Sequence, residues 1–140
     1  KKMRFNIFGD GAMKETLKNK LKEVKFWGWS KKKNIYLNTD ITIITSPLNN
    51  FPYVALESNS YGIPVITAAQ GDIRKIVKNN YSGYILKERT AENFDFFLKK
   101  TIKDYKRLSK NSFKNAKNFE VRRSCQKIWR YLKIENNNTW

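Results

Sequence analysis

The segment of residues 45–67 constrains the fold of this chain more than any other part of its sequence. It has the pattern of a buried strand end, a polar loop, a helix start carrying one acidic residue, a glycine stop and a second buried strand. The acidic residue is Glu57 and the glycine is Gly62. An acid at a loop-to-helix junction between two apolar strands lies where open α/β sheets bind ligands. The segment therefore predicts an α/β fold and a place for its ligand site.

Five short apolar runs along the chain have the pattern of β-strands. Residues 41–45 form the clearest run, β-branched and nearly continuous as in a buried parallel strand. The other runs are residues 4–8, 24–27, 64–68 and 84–86. Because helical patterns and short loops separate these runs, we expect a doubly wound parallel sheet with helices on both faces.

Helical spacing occurs between the strands and then continues through the last third of the chain. The predicted helices lie at residues 12–21, 31–38, 51–61 and 73–77, and the period stays helical from residue 91 onward. We expect residues 1–134 to form one domain and residues 135–140 to form a polar tail. Since the chain opens almost directly on a strand, the first strand and helix of this domain are expected to be missing.

The composition excludes several kinds of site. The chain has no histidine, which removes Ser-His and Cys-His nucleophiles and imidazole acid–base chemistry. Its single cysteine, Cys125, excludes an internal disulfide, fits a reducing cytosol and, without histidine, leaves no structural zinc site. Because Cys125 falls on an apolar helix face, a core residue is favoured over a reactive thiol. The chain contains no run of about 18 apolar residues, so the sequence predicts no membrane span.

The net charge of +17 has three explanations, which the sequence leaves open. The lysines are spread through every segment, which favours a solvated surface. A field of this sign also attracts an anionic bilayer or an anionic ligand. Specific nucleic-acid binding has the least support, because no strand interleaves aromatic and basic residues.

Three glycine loops can bring backbone close to a ligand, and each has a structural alternative. The Gly-Asp-Gly turn at residues 9–11 lacks the third glycine of a dinucleotide motif and the lysine of a P-loop, so a plain strand-to-helix turn is favoured. In residues 28–30, the tryptophan can stack on a base or pack on the domain edge, and packing is favoured. For residues 71–74, phosphate or sugar contact and a plain loop are equal alternatives.

Glu57 is the most informative single residue, and two orientations are open to it. Val54, Ala55 and Leu56 precede it, and Tyr61 lies one turn further on. The carboxylate either points into solvent or faces the cleft at the strand ends. In the cleft it can accept two hydrogen bonds from a ribose diol, as acidic residues do in other α/β nucleotide sites.

Glu57, the loop before it and residues 62–65 after it resemble the glutamate-x7-glutamate region of the GT-B glycosyltransferases of family 4. These are retaining enzymes that take a sugar from a nucleotide donor. The resemblance extends over nearly the whole chain, and all six glycines fall on landmarks of the family. The further landmarks are residues 5–11, 24–28, 36–46, 71–77 and 82–84.

The resemblance implies a role for each residue around the loop. Glu57 takes the position of the second glutamate, which binds the ribose hydroxyls of the donor. Asn49, eight residues earlier, takes the position of the first, which contacts the transferred sugar. The N–H groups of Phe51, Tyr53 and Val54 would lie beside the diphosphate at a helix N-terminus.

The resemblance also implies the rest of the donor site. Trp29 and Ser30 lie where such enzymes hold the base, and Gly71 opens the loop that offers N–H groups to a phosphate or sugar. Neither a metal nor a cofactor is expected, since the donor is a nucleotide-diphosphate sugar whose leaving diphosphate is stabilised by cations and helix dipoles.

Two departures from the family pattern matter. Asn49 is neutral, so it can hydrogen-bond a sugar hydroxyl but cannot stabilise positive charge developing on the sugar ring. This keeps an inactive homologue open. The family's diphosphate-binding arginine and lysine lie on a strand and helix before Phe5, and these, like the acceptor-binding N-terminal domain, are absent from this sequence.

The resemblance therefore implies the donor-binding C-terminal half of a GT-B, hexosyltransferase-like retaining enzyme of polysaccharide or glycolipid (surface glycan) biosynthesis. The 140 residues by themselves are expected to be inactive. Expected partners are a nucleotide sugar, the N-terminal acceptor-binding domain, and an anionic membrane surface or lipid-linked acceptor, but no specific nucleic acid. The expected location is cytoplasmic, peripheral on the cytoplasmic membrane face. The alternatives are a non-catalytic or epimerase-type GT-B homologue and a basic nucleic-acid-binding module.

Overall fold

The computed structural model of the protein describes residues 3–47, 52–120, 123, 125, 126 and 128–130. The chain divides into two compact units, Lys1–Thr39 and Asp40–Trp140. The first unit contains β1 (Phe5–Phe8), α1 (Lys14–Lys20), β2 (Val24–Gly28) and α2 (Lys32–Leu37). The second contains β3 (Thr42–Ile44), α3 (Tyr53–Ser60), β4 (Val65–Thr67), α4 (Ile73–Ile76), β5 (Gly83–Ile85), α5 (Ala91–Lys103), α6 (Tyr105–Ala116) and a 3-10 turn (Lys117–Phe119).

In the first unit, β1 and β2 form a parallel pair joined through α1. Phe5 lies opposite Val24, and the register shifts at the end of β1. The indole N–H of Trp27 donates to Asn6 Oδ1 across the pair at 3.0 Å. Phe8 stacks on Trp27 with 5.9 Å between the ring centroids. Aromatic stacking and a cross-strand hydrogen bond therefore stabilise this face of the pair.

In the second unit, β4 lies between β3 and β5, and both pairings are parallel. Its three residues, Val65, Ile66 and Thr67, are completely buried. Successive side chains of a strand point to opposite faces of its sheet. A central parallel strand covered on both faces therefore favours apolar residues, as at Val65 and Ile66, and the buried hydroxyl of Thr67 accepts a hydrogen bond from Ala69 N at 3.0 Å.

Each face of the three-stranded sheet has its own hydrophobic cluster. Val65 belongs to one cluster, which β3, α3 and α4 complete. Ile66 belongs to the other, which includes Leu108 of α6 and has apolar side chains of α5 packed against it. Helices thus cover both faces, as the sequence predicts for a doubly wound sheet.

All five predicted strands are present, each within one or two residues of its predicted bounds. The sequence places the helix of residues 51–61 too early, since it begins at Tyr53 behind an extended Pro52. Between residues 91 and 116, the predicted helical stretch is divided into two helices that are separated at Asp104. The strands form two separate parallel ladders, β1–β2 and β3–β4–β5. The predicted boundary at residues 134 and 135 lies outside the described residues.

The prediction that Cys125 is a core residue is wrong. Its thiol is exposed, and the nearby Ile128 and Trp129 side chains are 59% and 61% exposed. An apolar helix face is buried only where another element packs against it. At these positions the packing leaves most of each side chain in contact with water. Within the part of the chain that the structure describes, no helix is both long and apolar enough to cross a bilayer.

A polar network fixes the start of α6 to the end of the sheet. Arg107 donates to the backbone oxygen of Asn80 at 2.7 Å and to Asp104 Oδ2 at 3.0 Å. The Tyr84 hydroxyl donates to the same Asp104 oxygen at 3.0 Å. Hydrogen bonds from Arg107 and then from Tyr84 lower the pKa of Asp104, whereas burial raises the pKa of Tyr84. The charge of Arg107 is therefore balanced within the fold.

Gly83 permits β5 to pair closely with β4. Its φ is +154°, and a Cβ placed there would overlap the backbone carbonyl of Val65. We predict that Gly83→Ala lowers the free energy of unfolding by about 2 kcal/mol or more, because both the clash and the backbone conformation oppose a side chain. Urea unfolding of the variant measures this loss.

Gly11→Ala is the matched control, since a Cβ at Gly11 would meet nothing within 4 Å. Its free energy of unfolding should lie within about 0.5 kcal/mol of the wild type. Equal losses in the two variants would contradict the proposed close approach at Gly83.

Candidate functional site

The carboxyl ends of β3, β4 and β5 meet at one edge of the sheet, because the three strands are parallel. Loops tied to one another follow these ends. Gln70, after β4, donates its backbone N–H to Pro47 O, after β3, at 3.0 Å. Arg89, after β5, donates to Thr45 O at 3.4 Å. Such an edge is the ordinary ligand site of an open α/β sheet, so these bonds shape its floor.

Arg89 and Gln70 are polar residues of this edge that sequence reasoning did not identify, whereas Arg74 belongs to residues 71–74, for which contact with a phosphate or sugar was one alternative. Arg74 Nη2 donates to Gln70 Oε1, four residues earlier, at 2.9 Å. The signal available in the sequence was a cation shortly after each of the last two strands. It is weak in a chain with 29 lysines and arginines, since most of them lie on the surface for other reasons.

Helix α3 is the first helix after β3, and its N-terminus follows the loop at the end of that strand. Pro52 is its N-cap, in an extended conformation with φ −72° and ψ 109°. The first backbone bond runs from Ala55 N to Pro52 O at 3.0 Å. The N–H groups of Tyr53 and Val54 precede that bond, at the positive end of the helix dipole. Their side chains are 69% and 50% exposed, so an anion can approach this helix end.

A buried hydroxyl pair fixes α3 on the sheet. The Ser58 hydroxyl donates to Val54 O at 2.7 Å, and Ser58 Oγ lies 2.8 Å from Thr42 Oγ1 of β3. Since a hydroxyl has one proton to donate, Thr42 is the donor of the second bond. Ser58 is fully buried and follows Glu57 directly, so this pair sets the rotation of the helix that carries Glu57.

Glu57 lies in the second turn of α3 and is half-buried. Ala55 and Ser58 on either side of it along the helix are completely buried. The predicted position of this carboxylate, on the first helix after the loop, is confirmed. Of its expected neighbours, Tyr53 and Val54 share the same helix, while Asn49 and Phe51 lie outside the described residues.

The other predicted site residues lie in loops. Gly71 is exposed in the loop after β4, with φ +92°. Trp29 and Ser30 follow β2 in the first compact unit, where Trp29 is 85% exposed and Ser30 is half-buried. The expectation that Trp29 packs on the domain edge is therefore not met within the described residues, and its ring is accessible to a ligand.

The Gly-Asp-Gly turn after β1 is held by its own aspartate. Asp10 Oδ1 accepts from Gly11 N at 3.0 Å, and Asp10 Oδ2 accepts from Lys14 Nζ at 3.1 Å. The ammonium of Lys14 and then the Gly11 N–H lower the pKa of Asp10. Both donors are thus engaged within the turn, which supports the strand-to-helix alternative. Among the residues described, no group of three acidic or thiol side chains is placed to hold a metal ion.

Comparison with known proteins places this geometry in a family context. Residues 1–119 match the protein family described as "Glycosyl transferases group 1". A D-inositol 3-phosphate glycosyltransferase of Geodermatophilus obscurus is 26% identical over 93 residues, which are 66% of this chain and 21% of that protein. An uncharacterized 41.2 kDa protein in the cps region of Klebsiella pneumoniae is 26% identical over 88 residues, 61% of this chain and 25% of that protein. The chain thus spans a quarter or less of these curated relatives.

Solved structures share the fold. Anabaena HepE in complex with UDP superposes with a TM-score of 0.81 at 20% identity, covering 94% of this chain and 41% of that one. The pneumococcal O-GlcNAc transferase GtfA, with UDP and GlcNAc, gives 0.78 at 14% identity, covering 94% and 29%. The C-terminal domain of the Francisella tularensis group 1 protein LpcC gives 0.64 at 22% identity, covering 76% and 61%. The predicted fold, a doubly wound α/β C-terminal half of a GT-B architecture, is confirmed.

The Ser58–Thr42 pair generates a double-mutant prediction. Ser58→Ala should cost about 1–2 kcal/mol of unfolding free energy, because it removes the hydrogen bonds of the buried Ser58 hydroxyl with Val54 O and with the half-buried Thr42 hydroxyl. Thr42→Val removes the other hydroxyl at nearly constant volume. The two losses should fall short of additivity by about 0.5 kcal/mol or more in urea unfolding. Strict additivity would mean that the two hydroxyls do not hold α3 on β3.

Proposed function

The chain belongs to the glycosyl transferases group 1 family, and from this premise we propose that it is the nucleotide-sugar-binding part of a retaining glycosyltransferase. The observation that carries the proposal is the geometry of α3. This helix begins directly behind the loop at the carboxyl edge of the sheet, and it carries the half-buried Glu57 in its second turn. A helix N-terminus suits a diphosphate, and a carboxylate suits the hydroxyls of the ribose attached to it.

Within this proposal each site residue has a defined task. The Glu57 carboxylate accepts two hydrogen bonds from the ribose hydroxyls. The N–H groups of Tyr53 and Val54, with that of Phe51, donate to the diphosphate, while Gly71 brings further backbone N–H groups toward the phosphate or sugar. These donors replace a metal ion in stabilising the leaving diphosphate, so the proposed reaction uses no metal or other cofactor.

Two further residue roles are proposed from the family resemblance. In the first compact unit, the exposed ring of Trp29 and the neighbouring Ser30 are the proposed ligands of the base. Asn49 hydrogen-bonds a hydroxyl of the transferred sugar. An amide there orients the sugar but adds no charge, so catalysis depends on the diphosphate side of the site.

The proposed reaction exchanges one glycosidic oxygen for another with retention. The bond between the anomeric carbon and the diphosphate oxygen breaks, and the acceptor oxygen bonds to that carbon on the same face. The acceptor proton passes to the departing phosphate, which serves as the base. The complexes of HepE with UDP and of GtfA with UDP and GlcNAc support a nucleoside diphosphate as the first ligand to test.

The proposed setting follows from the charge and the family. A cationic surface suits a peripheral protein on the cytoplasmic face of an anionic membrane. There the acceptor is lipid-linked, the product is a surface polysaccharide or glycolipid, and an N-terminal acceptor-binding domain completes the enzyme. Because that domain supplies half of the cleft, the 140 residues by themselves are inactive in this proposal.

A second candidate function follows from the neutral amide at Asn49. A non-catalytic or epimerase-type homologue binds a nucleotide sugar without transferring it, and such a protein does not need a carboxylate at this position. Nucleotide binding through Glu57 is common to both candidates, so activity has to be measured separately from binding.

The binding part of the proposal predicts a thermal shift. At a UDP concentration of about 100 Kd, the full-length protein should gain about 2.7 kcal/mol, which raises its Tm by several degrees. Glu57→Ala should abolish the rise, because it removes the acceptor of both ribose hydrogen bonds. Glu23→Ala, at an exposed position between α1 and β2, is the matched control and should keep it. No rise with UDP, GDP or ADP would overturn the proposal.

The catalytic part predicts activity in the natural protein. Release of UDP from a UDP-sugar by full-length protein should be measurable with Asn49 in place, and Asn49→Glu should change its rate without being required for it. Asn19→Glu on the exposed face of α1 controls for the added charge. Activity that exists only after Asn49→Glu would favour the non-catalytic candidate instead.

A further inference from the structure

Helix α6 turns a nearly pure cationic face to solvent. Its exposed residues are Lys106, Arg107, Lys110, Phe113 and Lys114, and none of them is acidic. Lys106, Lys110 and Lys114 follow one another at four-residue spacing, so they form a row along one side of the helix. Like charges at this spacing destabilise a helix, so stability of the fold does not explain the row.

The charge of this row is not balanced within the fold. Arg107 is bound to Asp104 and Asn80, so its guanidinium is already engaged. The three lysines, in contrast, take part in no ion pair within the part of the chain that the structure describes. The row is therefore a source of positive potential that is available to a partner.

An aromatic ring lies beside the lysine row. Phe113 is 50% exposed, with the ammonium of Lys117 5.1 Å from its ring centroid. Phe113 lies on the same helix as the row, three residues after Lys110 and next to Lys114. An aromatic ring thus accompanies the cations on one surface, which we call the α6 surface: Lys106, Lys110, Phe113 and Lys114.

We propose that the α6 surface docks this protein on an anionic lipid bilayer. Lysines in a row attract the diffuse negative charge of lipid headgroups, and each contributes about a fivefold gain in binding. Exposed aromatic side chains can enter the interface between headgroups and acyl chains, because this transfer removes their apolar surface from water.

The residue types favour lipid over nucleic acid. Bidentate recognition of phosphates and bases favours the planar guanidinium of arginine over the ammonium of lysine. The one arginine on this face is engaged with Asp104, and the remaining cations are flexible ammonium groups. A half-exposed phenylalanine flanked by lysines is suited to a soft apolar boundary rather than to a phosphate backbone.

This inference names the surface behind the membrane location of the proposed function, but it does not rest on donor binding. The exposed lysines of α6 have no part in the proposed donor contacts, and two different ligands test the two ideas. Failure of vesicle binding would leave the UDP-induced thermal shift intact, and failure of the shift would leave vesicle binding intact.

The experiment is co-sedimentation of the full-length protein with vesicles of 30% phosphatidylglycerol and 70% phosphatidylcholine (about the anionic content of a cytoplasmic leaflet). Neutralising the row with Lys106→Gln, Lys110→Gln and Lys114→Gln should weaken binding about a hundredfold. Phe113→Ala should weaken it about fivefold, since a half-exposed ring gains part of its full transfer energy. Pure phosphatidylcholine vesicles should bind weakly in every case.

The matched control removes the same charge elsewhere. Lys20→Gln, Lys22→Gln and Lys78→Gln affect three exposed lysines outside α6, and this variant should keep most of the binding. An equal loss of binding in both triple variants would show that only the net charge of the protein matters, and it would overturn the proposal. Binding to a duplex or single-stranded oligonucleotide without binding to vesicles would overturn it as well. The Tm without ligand should be nearly unchanged in both variants, which shows that each is folded.

Discussion

The burial of β4 on both faces is the constraint on which the second compact unit depends. Val65 and Ile66 are completely inaccessible and belong to opposite hydrophobic clusters. Removing either face from water contributes about 25 cal/mol per Å² of apolar surface, so both helix layers are needed to keep the strand in place. Gly83 then allows β5 to approach β4 closely. The parallel arrangement that follows brings three carboxyl strand ends to one edge, where the loops of the site are hydrogen-bonded to one another.

The proposed donor site and the α6 surface are linked to that core by different contacts. Ser58 and Thr42 hold α3 on β3 through buried hydroxyls, so the helix that carries Glu57 is oriented from within the sheet. Helix α6 packs against α3 and is also held by Leu108 in the core and by Arg107 at its start. The exposed lysines of α6 take no part in the Ser58–Thr42 bonds, so replacing them leaves those bonds in place, and membrane binding and donor binding can be changed separately.

Most of the fold could be predicted from the sequence, because buried parallel strands and amphipathic helices leave periodic patterns. All five strands follow from short apolar runs, and the site helix follows from its place between two of them and from the glycine stop at Gly62. The rest depends on contacts that spacing does not encode. Pro52 delays the start of α3, since a residue that lacks an N–H serves as its cap. Asp104 divides the last helical stretch because it binds Tyr84 and Arg107. The exposure of Cys125 was not predicted, because periodicity reveals an apolar helix face but not whether another element covers it.

The site was predictable in part for the same reason. Glu57 was expected on the helix after the loop because it follows a polar loop and precedes a glycine stop between two apolar strands. Arg89 and Gln70 belong to the edge only through tertiary hydrogen bonds, which local patterns do not show. The most direct test of the account is a crystal structure of the full-length protein with UDP. The account predicts ribose hydroxyls within about 3 Å of the Glu57 carboxylate, and diphosphate oxygens at the N–H groups that open α3. UDP bound away from the carboxyl edge of the sheet, for example on the lysines of α6, would contradict it.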